Sequence, residues 1–266
     1  MRSALVSRVL VAALALPPVL LALWFGGWWL FTLVLLAALV ALHEFAVLTR
    51  PLRPLVLAAY LGSVAMLLGA MLGGLTWLLG GFLATFLLAF VLQGLTGTRR
   101  PATAAMGTTL LGAGWVGLGL GHVLLLRELP PEGFLTLLTV VLTVFAADIF
   151  AFFAGRMVGR HKLAPTISPG KTWEGFVAGT IAALAVAFFA LYEERDTYLT
   201  IAQSLLLGGT IAVAGALGDL FQSTLKRDMQ VKDTGRLLGG HGGMLDRVDA
   251  LLFSAVAGYH VIAALD

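Results

Sequence analysis

Two acids stand in apolar company: Asp148 within FAADIFAFFAG and Asp219 within AVAGALGDLFQ. A charge at membrane depth is costly and usually faces a partner or a bound ion inside a helix bundle. From Asp219 the chain reads DLFQSTLKRDMQVKDTGRLLGGHGGMLDRVD as far as Asp249. Asp219 and Ser223 are spaced i,i+4, and Lys226 and Arg227 lie one turn further on. A continuous helix would therefore set an acid, a hydroxyl and two cations on one face. Beyond Lys232 and Asp233, the glycines Gly235, Gly239, Gly240, Gly242 and Gly243 let backbone N–H groups approach an anion closely. Asp246, Arg247 and Asp249 then open the last apolar run, with Asp246 and Asp249 on one helical face. Capping of a helix start accounts for one acid there. It does not call for two acids, a His-Gly-Gly turn and several cations together.

A second polar stretch reads GRMVGRHKLAPTISPGKTWEG. Ser168, Pro169, Gly170 and Lys171 precede Thr172 and Glu174, the expected start of a helix with anion-binding potential of its own. The plainer reading is a positively charged loop. Taken together, the two stretches suit phosphate chemistry. Carboxylates hold magnesium, lysine and arginine meet phosphate oxygens, and glycine-rich backbone cradles them. Neither a GxxxxGK[ST] loop nor a GxGxxG fingerprint occurs in these two stretches, so they do not reuse the nucleotide-binding loops of soluble proteins. His241 is a turn residue or a phosphate contact. His43, His122 and His260 read as structural.

The elements that must carry these groups are set by composition. Of 266 residues, 59% are hydrophobic and 12% charged, with a mean hydropathy of +0.97 and no cysteine. Soluble domains carry roughly 25% charged residues. Disulfide scaffolds, thiol redox chemistry and cysteine-ligated zinc are excluded. A net charge of +3 without a dense basic cluster gives no reason to expect nucleic acid. No charge occurs between Arg8 and Glu44, nor over residues 54–98. Each stretch is long enough for two membrane crossings, broken near Gly26–Gly27 and Gly73–Gly74. The first reads as a retained anchor, because apolar sequence continues past any signal-cleavage point. Runs near 104–126, 134–154, 174–192, 199–219 and 247–265 complete an expected all-α, polytopic bundle of about nine transmembrane helices. With the N-terminus cytoplasmic, all of the 17 Lys and Arg residues except Arg127 and Arg195 fall on the inner side. The expected organisation is a scaffold over 1–130 and a catalytic membrane region over 131–266, with cytoplasmic loops 155–173 and 220–246. Residues Asp148 to Asp249 hold 10 of the 17 basic and 10 of the 14 acidic residues, which concentrates the chemistry in that second part.

The run from Ser223 to Asp249, with Lys226, Arg227, Lys232, Asp233, Gly235, His241, Gly242, Gly243, Asp246 and Arg247 at fixed spacing, resembles the signature of the phosphatidate cytidylyltransferases. Ser168-Pro-Gly-Lys-Thr-Trp-Glu-Gly175 resembles that family's second motif, and Asp148 the segment just before it. The resemblance covers roughly the last 120 residues. It departs at Gly239, where many members carry proline, and at Gly170, where many carry a polar residue. It implies transfer of the cytidylyl group of CTP to phosphatidate, giving CDP-diacylglycerol and pyrophosphate. It further implies magnesium, with potassium as a second cation, and Asp219 and Asp246 as the metal-binding acids. Lys226 and Arg227 would join them in catalysis. Ser168, Lys171, Ser223, Lys232, Asp233, His241, Gly242, Gly243, Arg247, Asp249 and Asp148 would line the substrate site. The implied setting is the bacterial inner membrane, and members also form homodimers. A CTP-using enzyme with another lipid acceptor, such as an ether-lipid cytidylyltransferase or a polyprenol kinase, is the near alternative. A secondary transporter is the distant one, because intramembrane acids also couple ions.

Overall fold

Helices that are apolar on every side cannot be surface helices of a soluble domain. The computed structural model, which describes residues 16–95, 101–235 and 242–265, is built almost wholly from such helices. They are α1 (Leu16–Phe25), α2 (Gly27–Leu48), α3 (Val56–Leu95), α4 (Ala102–Ala113), α5 (Gly119–Arg127), α6 (Gly133–Val158), α7 (Trp173–Leu191), α8 (Ile201–Asp228) and α9 (Leu245–Ala263). A π-helical turn over Gly114–Leu118 joins α4 to α5, so Ala102–Arg127 runs on as one apolar rod. Six stretches among the described residues are long and apolar enough to cross a membrane: α2, α3, the α4–α5 rod, α6, α7 and α8. The protein is a nearly all-helical, multi-pass membrane protein. Large apolar side chains such as Phe145, Ile149, Phe152 and Phe153 on α6 face outward, as a lipid environment requires.

The departure from an all-helical chain lies in the second polar stretch. There β1 (Lys162–Ala164) and β2 (Ser168–Thr172) form an antiparallel two-stranded sheet, pairing Lys162 with Thr172 and Ala164 with Ser168. Ser168 and Lys171 therefore sit on a strand that leads into α7, and the helix begins only after Thr172.

Two units make up the chain. The first comprises Met1–Leu125 with Met229–Val248, the second Leu126–Asp228 with Asp249–Asp266. In the first unit, Gly26 (φ 62°, ψ −152°) separates α1 from α2, where the sequence suggests a break. Gly74 (φ 70°, ψ −155°) folds α3 back on itself. The two arms pack so closely that a Cβ at Gly62 would strike the Thr85 side chain, and one at Gly81 would lie 2.7 Å from the Met66 nitrogen. Gly73–Gly74 is thus the turn of a helical hairpin.

In the second unit, small residues set the helix spacing. A Cβ at Gly175 or at Gly179 would lie 2.6 Å from the carbonyl oxygen of Ala151 or Ala147 on α6, so α6 and α7 meet backbone to backbone. Gly208 on α8 faces Ala183 and Ala187 of α7 in the same way. Gly218 leaves room for the Asp249 backbone on α9. These contacts bring the polar ends of α6, α7, α8 and the hairpin within reach of one another.

Candidate active site

Helix α8 continues unbroken to Asp228, so the face expected from the i,i+4 spacing forms. Ser223 Oγ donates to Asp219 Oδ1 at 3.4 Å. Lys226 Nζ donates to Gln222 Oε1 at 3.3 Å, and Gln222 is fully buried. The hairpin adds the decisive group: Lys171 Nζ on β2 lies 2.7 Å from Asp219 Oδ2. It also donates to the Ala216 carbonyl at 3.4 Å. One residue beyond Lys226, Arg227 Nε donates to the Ile167 carbonyl in the hairpin turn at 3.2 Å. The hairpin stretch thus meets the α8 part of the other polar stretch, Asp219 to Arg227.

The hairpin is held by its own base. Thr172 caps α7 by accepting the Gly175 N–H at 3.1 Å. Glu174, in the first turn, supplies the negative charge that a helix N-terminus favours. Its carboxylate accepts the His161 backbone N–H at 3.2 Å and lies 2.7 Å from His161 Nδ1. Glu174 therefore fixes the hairpin that carries Lys171. Ser168 opens β2 opposite Ala164.

Asp148 on α6 and Asp249 on α9 both lie within electrostatic reach of Asp219. Lys171 lies within reach of Asp148, and Lys226 of Asp249. Asp249 is buried, and its Oδ1 accepts the Ala250 N–H at 2.8 Å. Asp148, Asp219 and Asp249 supply carboxylate oxygens in one neighbourhood, with Lys171 and Lys226 beside them. Among the described residues no three His, Asp or Glu side chains gather closely enough to hold a metal by themselves. A magnesium ion that completes its shell with waters and substrate phosphates needs only one or two acids, so this donor set fits such an ion.

Asp246 belongs to the other unit. Its Oδ2 accepts from Thr234 N at 3.1 Å, Thr234 Oγ1 at 3.0 Å and Gly243 N at 3.0 Å. Gly242 turns the chain with φ +78°, a conformation that favours glycine. Lys232, Asp233 and Arg247 are exposed. His241 lies outside the described residues. Sequence reasoning passed over three buried residues: Gln222, bonded to Lys226 in the second unit, and Glu44 and Thr234 in the first, where Thr234 bonds Asp246. Glu44 carried a signal: it is an acid at the end of a long uncharged run, the criterion that exposes Asp148.

Fold and site define a polytopic membrane protein whose second unit gathers acids and lysines at helix ends. The chain belongs to the cytidylyltransferase family, whose model matches residues 6–265. It is 43% identical over 125 residues to a phosphatidate cytidylyltransferase of Haemophilus influenzae, covering 46% of this chain and 43% of that one. It is 41% identical over 144 residues to one of Staphylococcus haemolyticus, covering 54% of each. A Mycobacterium bovis protein of the same name is 39% identical over 140 residues, covering 51% of this chain and 44% of that one. The chain spans about half the length of the curated relatives it matches.

Proposed function

We propose that the protein transfers the cytidylyl group of CTP to phosphatidate, giving CDP-diacylglycerol and pyrophosphate for phospholipid synthesis. The observation that carries this reading is the Lys171–Asp219 ion pair, which joins the two phosphate-suited stretches at one helix end. Family membership and the names of the relatives support it.

A phosphate monoester is already largely dianionic near neutral pH, with a second pKa of ~6, so the nucleophile needs no dedicated base. A phosphatidate oxygen attacks the alpha-phosphorus of CTP, the bond to the bridging oxygen breaks, and pyrophosphate leaves. The obstacle is repulsion between two polyanions. Lys226, Arg227 and Lys232 offset that charge, and Lys171 can exchange its carboxylate partner for a phosphate oxygen. Magnesium, with potassium as a second cation, would be held by Asp219 and Asp246. When bound, it neutralises phosphate charge and stabilises the leaving group. Ser168, Ser223, Asp233, His241, Gly242, Gly243, Arg247, Asp249 and Asp148 line the nucleotide and phosphate positions.

The reading places the protein in the bacterial inner membrane as a homodimer, N-terminus cytoplasmic. Nine crossings follow if α1, α2, the two arms of α3, the α4–α5 rod and α6 to α9 each span. The test is purified protein with CTP, phosphatidate and magnesium. Labelled lipid and pyrophosphate are expected in equal amounts. Release of CDP would instead mark a kinase, and product with an ether-lipid phosphate alone would mark the other acceptor. Solute uptake into vesicles without any lipid product would make it a transporter. Asp219→Asn and Asp246→Asn should each lose most activity while still inserting and purifying. Near-normal turnover by either across a magnesium titration would remove that acid from the metal site.

A further inference from the structure

Glu44 has no part in the chemistry described so far, yet both oxygens of its carboxylate accept backbone N–H groups within the first unit. It lies near the C-terminal end of α2 and is only 4% exposed. Burying a carboxylate is unfavourable unless donors surround it. Here the donors come from the far end of the chain: Met244 N donates to Oε1 at 2.9 Å and Leu245 N to Oε2 at 2.8 Å. These are the cap and first residue of α9, so Glu44 also answers the positive end of that helix.

The glycines around it show how closely the segment is fitted. A Cβ at Gly235 would lie 2.6 Å from Glu44 Oε1, and one at Gly243 would strike Oε2. Backbone at Gly235 and at Gly243 is thus closed over one carboxylate. Thr234 Oγ1 stands 3.5 Å from Glu44 Oε2 and 3.0 Å from Asp246 Oδ2. A hydroxyl has one proton to give, so it goes to the nearer acid, Asp246. The same Asp246 oxygen takes the Gly243 N–H at 3.0 Å, one residue before the Met244 amide that Glu44 holds.

We propose that Glu44 is a positioning residue: from α2 it clamps the Gly243–Leu245 backbone and so fixes the direction in which Asp246 is presented. This rests on the reading of Asp246 as a metal-binding acid. Glutamine cannot replace it, because its amide group would turn an N–H donor toward a backbone N–H.

The experiment uses the full-length protein in lipid nanodiscs, comparing wild type, Glu44→Gln and Thr234→Val by amide hydrogen exchange and by magnesium-dependent cytidylyl transfer. In Glu44→Gln, exchange at Gly243–Leu245 should speed up and the magnesium concentration for half-maximal rate should rise, each by roughly 10- to 100-fold, the scale of lost support to a metal ligand. Exchange across α8 should stay as in wild type. Thr234→Val, of nearly the same shape, should raise the magnesium requirement while Met244 and Leu245 remain protected. Unchanged exchange at Gly243–Leu245 in Glu44→Gln would overturn the proposal. So would faster exchange with an unchanged magnesium requirement, or equal loosening of α8, either of which makes Glu44 a packing residue alone. If the wild type forms no cytidylylated lipid, the proposed function falls, and the exchange data still decide whether Glu44 holds the segment.

Discussion

Asp219 engages both carboxylate oxygens, one with Lys171 and the other with Ser223. A cation arriving at Asp219 must therefore compete with Lys171, and the displaced ammonium is well placed to follow a phosphate. Lys171→Met should lower kcat/KM for CTP by roughly a hundredfold, the scale of losing one preorganised charge-stabilising donor. Steady-state kinetics at saturating phosphatidate would read it, and an unchanged value would take Lys171 out of the site. Asp219, Ser223 and Lys226 were legible because one helix period links them, and they do share a helix. Glu44 was not, because its principal partners are backbone N–H groups, which no residue type announces.

Among the elements, the α3 hairpin depends on a backbone conformation open to glycine. Gly74→Ala meets no neighbouring atom, yet it forces an L side chain to φ 70°, ψ −155°. That should cost ~1–3 kcal/mol. Gly80 also has nothing within 4 Å but lies in regular helix, so Gly80→Ala should be neutral or stabilising by ~0.5–1 kcal/mol. Thermal unfolding of the two variants in detergent should separate them, and equal midpoints would show that the hairpin turn carries no strain. The turn was visible in the sequence because two adjacent glycines interrupt an uncharged run. The β1–β2 hairpin was not. Its strands have 3 and 5 residues, and Pro169 and Gly170 lie inside the longer one, where a strand would not be expected. It forms because Glu174 and Thr172 tie its base, contacts that become apparent only once α7 is in place.

For the molecule as a whole, the absence of cysteine makes each introduced thiol unique. With the proposed orientation, Glu193→Cys should react with a membrane-impermeant thiol reagent on intact cells, and Lys162→Cys only after permeabilisation. Both positions are exposed, so the reverse pattern would invert the topology. The lopsided charge distribution is the basis of this proposed orientation, since lysine and arginine bias follows the cytoplasmic side. The joining of Met229–Val248 to the first half of the chain was not readable, because the link is Glu44 and not a hydrophobic repeat. That link also orders events in time. Met244 and Leu245 follow Glu44 by 200 and 201 residues, so at ~5–20 residues per second of synthesis the acid waits on the order of 10–40 s for its donors. Throughout that interval the Glu44 carboxylate of a newborn chain lacks both of these backbone donors. A polypeptide that stops short of residue 244 never acquires the two backbone donors.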